Sequence, residues 1–95
     1  MITNTMLLKL KERDSESIRK AKSVLLSMEG KVKSLRELKV KEDVRRGESS
    51  FDLLLVTSFS SAEDWEEYRN DPFHKEVSEY IAAVLEASAS VYYED

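Results

Sequence analysis

Cysteine is absent from this chain, and histidine, proline and tryptophan each occur once. A chain without cysteine has no disulfide framework, no thiolate nucleophile and no zinc site built on thiolates. The single histidine also excludes a metal site in which one chain supplies several imidazoles. No spacing among the carboxylates matches a calcium loop or another defined metal cage. The sequence therefore predicts neither a metal ion nor a cofactor.

Long apolar runs and concentrated positive charge are also missing. No apolar run approaches the roughly 20 residues that cross a bilayer, and the N-terminal residues lack the apolar core and cleavage site of a signal peptide. The net charge is -4 and the basic clusters are as short as Arg45–Arg46, whereas nucleic-acid binding needs concentrated lysine and arginine. We expect a cytoplasmic protein that binds neither membranes nor nucleic acids.

Hydrophobic periodicity predicts one α+β domain over residues 1–95. Apolar and polar residues alternate as in strands at residues 5–11, 35–44, 51–59 and 87–93. Apolar spacings of three and four predict a helix from Asp14 or Ser15 to Gly30, and two more on either side of Asp71–Pro72. The order β-α-β-β-α-β is typical of a ferredoxin-like unit, in which helices cover one face of a four-stranded antiparallel sheet.

The third predicted strand carries apolar side chains on both faces. Phe51, Leu53 and Leu55 point to one side of the sheet, whereas Leu54 and Val56 point to the other. Because the helices can cover only one face, the second face needs another cover. A domain of this size also buries only roughly 60–65% of the surface of its unfolded chain. We therefore expect a two-fold homodimer in which two such sheets form an α+β barrel.

The lone tryptophan, proline and histidine all fall within residues 61–77. Asp71 is a favoured N-cap and Pro72 fits the first helical position, so a helix is expected to start there. His74 then lies in the first turn, where unpaired backbone N–H groups disfavour an added positive charge, although the Asp71 carboxylate opposes this effect. A neutral histidine beside Tyr68 can act as a base at ordinary pH.

Four segments carry a recognisable family pattern. They are Met6–Lys11 in the first strand, Met28–Lys31 at the end of the first helix, Phe51–Val56 in the third strand, and Tyr68–His74. The last segment, Tyr-Arg-Asn-Asp-Pro-Phe-His, is the most specific and is similar to the signature Tyr-x-x-His-Pro-x-His. In these segments the chain resembles the stress-responsive A/B barrel family, also called Dabb domains. The resemblance covers nearly the whole chain and implies a dimeric α+β barrel.

The resemblance also implies a site. A polyketide cyclase of this family makes olivetolic acid with a tyrosine and a histidine in a cavity between sheet and helices. Its catalytic pair corresponds to Tyr68 and His74 here, and Asn4, Met6 and Trp65 are the residues expected to line the substrate pocket.

Two positions depart from the family pattern. Asp71 replaces the histidine that usually precedes the proline, and Asn4 stands where many members have a histidine. Asparagine can hydrogen-bond a polar ligand, but it cannot exchange a proton as histidine does. A residue that orients a ligand thus remains, while a second acid or base is lost.

Two hypotheses for function stand side by side. In the first, the pocket binds a small organic molecule; if it is catalytic, His74 moves a proton while Tyr68 donates to the developing oxyanion. In the second, a non-enzymatic stress-response or interaction protein, His74 only bonds backbone, Trp65 and Tyr68 fill the core, and Asn4 is a polar strand end. The oxygen-using or haem-degrading chemistry of related dimeric barrels fits less well, because nothing besides the one histidine argues for iron.

Overall fold

The computed structural model describes all of residues 1–95. Its elements, in chain order, are β1 (Ile2–Leu10), α1 (Ser15–Leu26), β2 (Glu37–Glu42), β3 (Leu53–Phe59), α2 (Ala62–Asn70), α3 (Pro72–Val84) and β4 (Leu85–Glu94). Since α2 and α3 together make the second helical connection, this is the predicted β-α-β-β-α-β order, and the ferredoxin-like α+β architecture is confirmed. None of the helices combines the length and hydropathy that a bilayer crossing requires.

The four strands form one antiparallel sheet in the order β2-β3-β1-β4. The central strand β1 pairs with β3 on one side and β4 on the other, so that Asn4 lies opposite Thr57 and Tyr92. Successive side chains of β1 point to opposite faces. Leu8 therefore lies in the core beneath the helices, at 1% exposure, whereas Leu7 on the other face is 41% exposed.

The first helix is shorter than the sequence predicts. It ends at Leu26 rather than Gly30, and residues 27–31 form tight turns. The hydroxyl of Ser27 donates to a carbonyl of the last helical turn, a local bond that competes with helix continuation. Met28 nevertheless stays buried in the core, so the apolar stripe continues beyond the helix and overstates its length. Gly30 does adopt the expected left-handed conformation, with φ of 79°.

The second face of the sheet carries no helix. We call it the open face and define it by its apolar side chains Leu7, Leu54, Val56, Val91 and Tyr93, which share one side of the sheet by register. Leu54 and Val56 on the inner strand are half-buried, and the other three are exposed. The open face is the second apolar face that the sequence predicts.

A buried ion pair ties the connection between β2 and β3 to the end of β1. Asp52 is 1% exposed and accepts hydrogen bonds from the backbone N–H of Leu10 at 2.8 Å and from Nε of Arg13 at 2.9 Å. The Arg13 guanidinium also donates to the backbone carbonyls of Gly47 and Ser50, at 3.0 and 2.8 Å. The pair thus holds the long β2–β3 loop against the start of the first helical connection.

Candidate functional site

One cavity between the sheet and the helices gathers the side chains that the sequence singles out. Its volume is about 170 Å³ and its lining includes Asn4, Met6, Trp65, Tyr68 and His74. Nine of the 13 lining residues are hydrophobic. An engineered apolar cavity of about 150 Å³ in another protein holds benzene, so this cavity has room for one ring or a branched chain of similar bulk.

Three elements bring these side chains together. Strand β1 presents Asn4 and Met6 on its helix-covered side, and α2 presents Trp65 and Tyr68 about one turn apart. His74 stands in the first turn of α3. The amide of Asn4, the imidazole of His74 and the hydroxyl of Tyr68 supply polar groups to a mainly apolar chamber.

Asp71 sets the position of His74. As the sequence predicts, it is the N-cap of α3 and Pro72 occupies the first turn. Its Oδ1 accepts hydrogen bonds from the backbone N–H groups of Phe73 at 2.8 Å and His74 at 3.2 Å. This cap fixes the backbone of the first turn, and the imidazole then lies against the ring of Tyr68, with centroids 4.0 Å apart.

One side of the cavity is a cluster of aromatic rings. Phe59 packs against Trp65 and Tyr68, with ring centroids 5.4 and 4.9 Å apart. Trp65 also contacts Tyr92 of the edge strand at 4.8 Å. Aromatic pairs at such distances contribute about 0.5–1.5 kcal/mol each beyond their buried area. The cluster therefore stabilises the fold whatever the cavity binds.

The hydroxyl of Tyr68 is weakly bonded. Its one hydrogen bond within the chain is to the thioether sulfur of Met28, at 3.9 Å, and a thioether is a poor acceptor. Burial raises the pKa of Tyr68, so the phenol stays protonated at neutral pH. It can donate a hydrogen bond to a ligand oxygen, but it is no base there.

The imidazole of His74 has an unpaired polar atom. Its Nδ1 is buried and has no hydrogen-bond partner in the protein, a condition that costs about 1–3 kcal/mol for a typical buried group. Burial lowers the pKa of His74, although the backbone carbonyl of Arg69 and the carboxylate of Asp71 oppose this shift. The helix position predicts a neutral ring, and the structure agrees in direction but makes burial the main cause. A neutral imidazole with a free nitrogen can bond a polar group of a ligand.

Because His74 is the only histidine, the direction of its pKa shift can be tested by the pH dependence of the free energy of unfolding. Because the pKa of His74 lies below 6.5 in the folded chain, the unfolded chain takes up a proton first as the pH falls. The contribution of His74 to the free energy of unfolding is therefore most favourable above about pH 7 and decreases as the pH falls through about 6.5 toward the folded pKa. We expect His74→Leu to lose this decrease between about pH 7 and pH 5.5. Urea unfolding at both pH values measures it, and equal decreases in the two proteins would contradict the expectation.

Two polar residues of the lining were missed at the level of sequence. Arg69 and Ser78 both border the cavity. Ser78 follows His74 by four positions, and residues at this spacing lie on one side of a helix, so a helical projection from His74 could have found it. Arg69 sits in the last turn of a strongly charged helix, where nothing distinguishes it from a solvated side chain. No group of three or more histidine, aspartate and glutamate side chains is arranged to hold a metal ion.

The covered sheet, its open face and the cavity between sheet and helices define a ferredoxin-like α+β protein of the dimeric-barrel class. The chain belongs to the stress responsive A/B barrel domain family, whose model matches residues 2–95. The family that the four sequence segments indicate is thereby confirmed. Among curated proteins, none matches the chain significantly.

Solved structures with the same fold include dimeric proteins and an enzyme. A dimeric ferredoxin-like protein from Bacteroides fragilis is 22% identical, with a TM-score of 0.83 over 99% of this chain and 95% of that chain. One from Thermobifida fusca is 15% identical, with a TM-score of 0.86 over 99% and 90% of the two chains. The hydroxynitrile lyase of Passiflora edulis is 13% identical, with a TM-score of 0.82 over 97% and 90%. At these identities the likeness shows the fold alone.

Proposed function

We propose that this protein binds a small organic molecule in the cavity of each subunit. The observation that carries the proposal is the convergence of Asn4, Tyr68 and His74 on one apolar cavity, where the buried Nδ1 of His74 lacks a partner. Apolar walls supply the free energy of burial, and a few polar groups fix orientation, which is the usual composition of a small-molecule site. A ligand that bonds Nδ1 would also remove the cost of leaving that atom unpaired.

The chemistry open to this site is proton transfer on an enolisable carbonyl compound, as in polyketide cyclisation. Neutral His74 would remove or return the proton, while Tyr68, kept protonated by its raised pKa, would donate to the developing oxyanion. The phenol would exchange its weak bond to Met28 for a stronger one to an anionic oxygen. The hydroxynitrile lyase among the neighbours shows that this fold carries an enzyme elsewhere, and the similarity supports no more than that.

A non-enzymatic role, as a stress-response or interaction protein, is the second candidate. The contacts of the aromatic cluster favour it, because Phe59, Trp65 and Tyr68 pack together as core residues do. In addition, no hydrogen bond joins the Tyr68 hydroxyl to His74, and the hydroxyl turns to Met28 instead. Under this hypothesis the cavity is a packing imperfection and binds nothing.

The proposed working unit is a homodimer formed through the open face. The two bacterial neighbours are dimeric, and Leu7, Val91 and Tyr93 are exposed on a sheet face that no helix covers. Pairing two such faces would bury them in the barrel centre. Since the cavity lies on the other side of the sheet, each subunit would hold a complete cavity.

Calorimetric melting of the wild-type protein with a panel of single-ring alcohols, aldehydes and carboxylates tests the proposal. A ligand at ten times its Kd stabilises the folded state by about 1.4 kcal/mol, which raises the Tm of a domain of this size by roughly 6–11 °C. We expect such a shift for at least one compound. His74→Leu is expected to fold and to lose most of the shift, because the replacement fills similar space without a polar atom.

Tyr68→Phe tests whether the phenol contacts the ligand, and Tyr80→Phe is its control. Tyr80 is half-buried on the same helix as His74, but it does not line the cavity. Binding weakened by Tyr68→Phe and not by Tyr80→Phe would support a ligand contact by the phenol. If no compound shifts the Tm of the wild-type protein, the binding proposal is wrong and the non-enzymatic role is favoured.

A further inference from the structure

The polar residues of the cavity are concentrated where it opens to the surface. Arg69, His74 and Ser78 line the cavity and also line a shallow surface depression of about 360 Å³. The depression is completed by Lys75 and Glu79 alone. Arg69 and Ser78 are exposed although they border the cavity, so these shared residues form its mouth.

Arg69 is a weakly paired cation at the mouth. Arg69 and Lys75 line the depression with the carboxylate of Glu79, and the carboxylate of Glu66 pairs with Arg69 from outside the depression. The guanidinium of Arg69 is 3.6 Å from Glu66, with side-chain exposures of 59% and 61%, and it lies 6.0 Å from the centroid of the Trp65 ring. An ion pair this exposed contributes little, so Arg69 can exchange Glu66 for the anionic group of a ligand. The indole contact keeps the guanidinium beside the cavity wall.

The interior of the cavity accepts only an uncharged group. Its lining is mainly hydrophobic, and an unpaired charge inside would lose its hydration without compensation. The lowered pKa of His74 means that the imidazole offers a hydrogen bond there rather than a positive charge. A ligand that uses both regions is therefore amphiphilic, with a body no larger than about one aromatic ring.

We propose that the site selects a small carboxylate, with its apolar body in the cavity and its carboxylate on Arg69 at the mouth. The inference rests on the proposed function and adds the chemical class of the ligand. Guanidinium and carboxylate match in geometry and form paired hydrogen bonds, so Arg69 is the specificity-determining residue. Lys75 adds favourable charge without a fixed geometry.

Isothermal titration with matched pairs of probes tests the selection. Benzoate and phenylacetate carry the anion, and benzyl alcohol and 2-phenylethanol present the same bodies without charge. We expect wild-type protein to bind each carboxylate more tightly than its alcohol. Arg69→Gln should weaken carboxylate binding by roughly three- to tenfold, a loss between those expected for an exposed and for a buried ion pair. It should leave the affinities for the alcohols unchanged. Carboxylate affinity should also fall with added salt, since the mouth is exposed.

Arg19→Gln is the matched control, because Arg19 is an exposed arginine of α1 that lines neither the cavity nor the depression. It removes the same charge from the chain and should leave every affinity unchanged. Equal affinities for the acids and alcohols in the wild-type protein, or equal effects of the two substitutions, would overturn the inference while the binding proposal stands. If none of the four probes binds, both the proposed function and this inference are wrong for ligands of this size.

Discussion

The Leu7→Lys substitution is expected to dissociate the proposed homodimer while leaving the subunit folded. Leu7 lies on the central strand β1, opposite Leu54 and Ala89, and is 41% exposed in the single subunit. In the isolated subunit the new ammonium group reaches water. In a dimer formed through the open face, the two-fold symmetry would bury it twice without a partner. At roughly 2 kcal/mol for each copy, the dimer Kd rises by about a thousandfold.

Sedimentation over a dilution series measures this change, and Leu26→Lys provides its control. Leu26 is the last residue of α1 and is 38% exposed, nearly the same as Leu7, but it lies on the helical side of the sheet. We expect Leu26→Lys to sediment as wild type does. A Leu7→Lys protein that remains dimeric would show that the open face is not the interface. Dissociation of both variants would trace the effect to added charge rather than to location.

The Asp52→Ala substitution is expected to lower the free energy of unfolding by about 3 kcal/mol. Asp52 is 1% exposed and is the shared acceptor for Leu10 N–H and Arg13 Nε. Its removal leaves the Leu10 N–H buried and unpaired, and it frees the guanidinium that holds the carbonyls of Gly47 and Ser50. The Arg13 side chain is 28% exposed, so water compensates part of the loss and keeps it near the lower end for a broken buried pair.

Urea unfolding at one fixed protein concentration gives this value, since the proposed dimerisation would make stability depend on concentration. Asp52→Asn retains one acceptor oxygen and should cost roughly half as much. Asp14→Ala removes an exposed aspartate that caps α1 through Ser17, and it should lower the free energy of unfolding by clearly less than Asp52→Ala does. A loss no larger in Asp52→Ala than in Asp14→Ala would mean that the buried pair does not hold the loop.

The fold was predictable because its main signals are local and agree with one another. Strand alternation and helical spacing lie in separate segments, and Asp71–Pro72 marks the break between α2 and α3 at the correct position. The ends of elements were less predictable. Strand β2 spans Glu37–Glu42 rather than residues 35–44, because Leu35 continues the apolar pattern and packs against the core from outside the strand. Helix α1 stops early for a similar reason, since Met28 is buried from a turn.

The side chains around the cavity were predictable in part. The family signature indicates Tyr68 and His74, and the structure brings both to one cavity with Asn4, Met6 and Trp65; their roles remain predictions. Tyr92 and Tyr93 are consecutive residues of β4 and lie on opposite faces of the sheet. Yet Tyr92 is 46% exposed although it packs on Trp65, because β4 is an edge strand. Position in the sheet, which periodicity does not encode, decides how deeply a side chain is buried.

The buried pair of Arg13 and Asp52 was not predictable at all. The two residues are 39 positions apart, and each belongs to a polar segment that reads as ordinary surface. Only the antiparallel pairing of β1 with β3, which places Leu8 opposite Leu53, brings Asp52 beside the end of β1. Contacts of this kind depend on how the strands pair in the folded chain, and no local sequence pattern predicts them.

The alternation of β1 divides its nine residues into two sets, one on each face of the sheet. Asn4 and Met6 border the cavity, while the intervening Thr5 and Leu7 face the other way. If the proposed ligand and homodimer form, substitutions at Asn4 and Met6 would change what is bound without changing which chain is recognised, and substitutions at Thr5 and Leu7 would do the reverse. After a gene duplication, two copies of such a protein could therefore stop pairing with each other while keeping one ligand, or diverge in ligand while still forming mixed dimers.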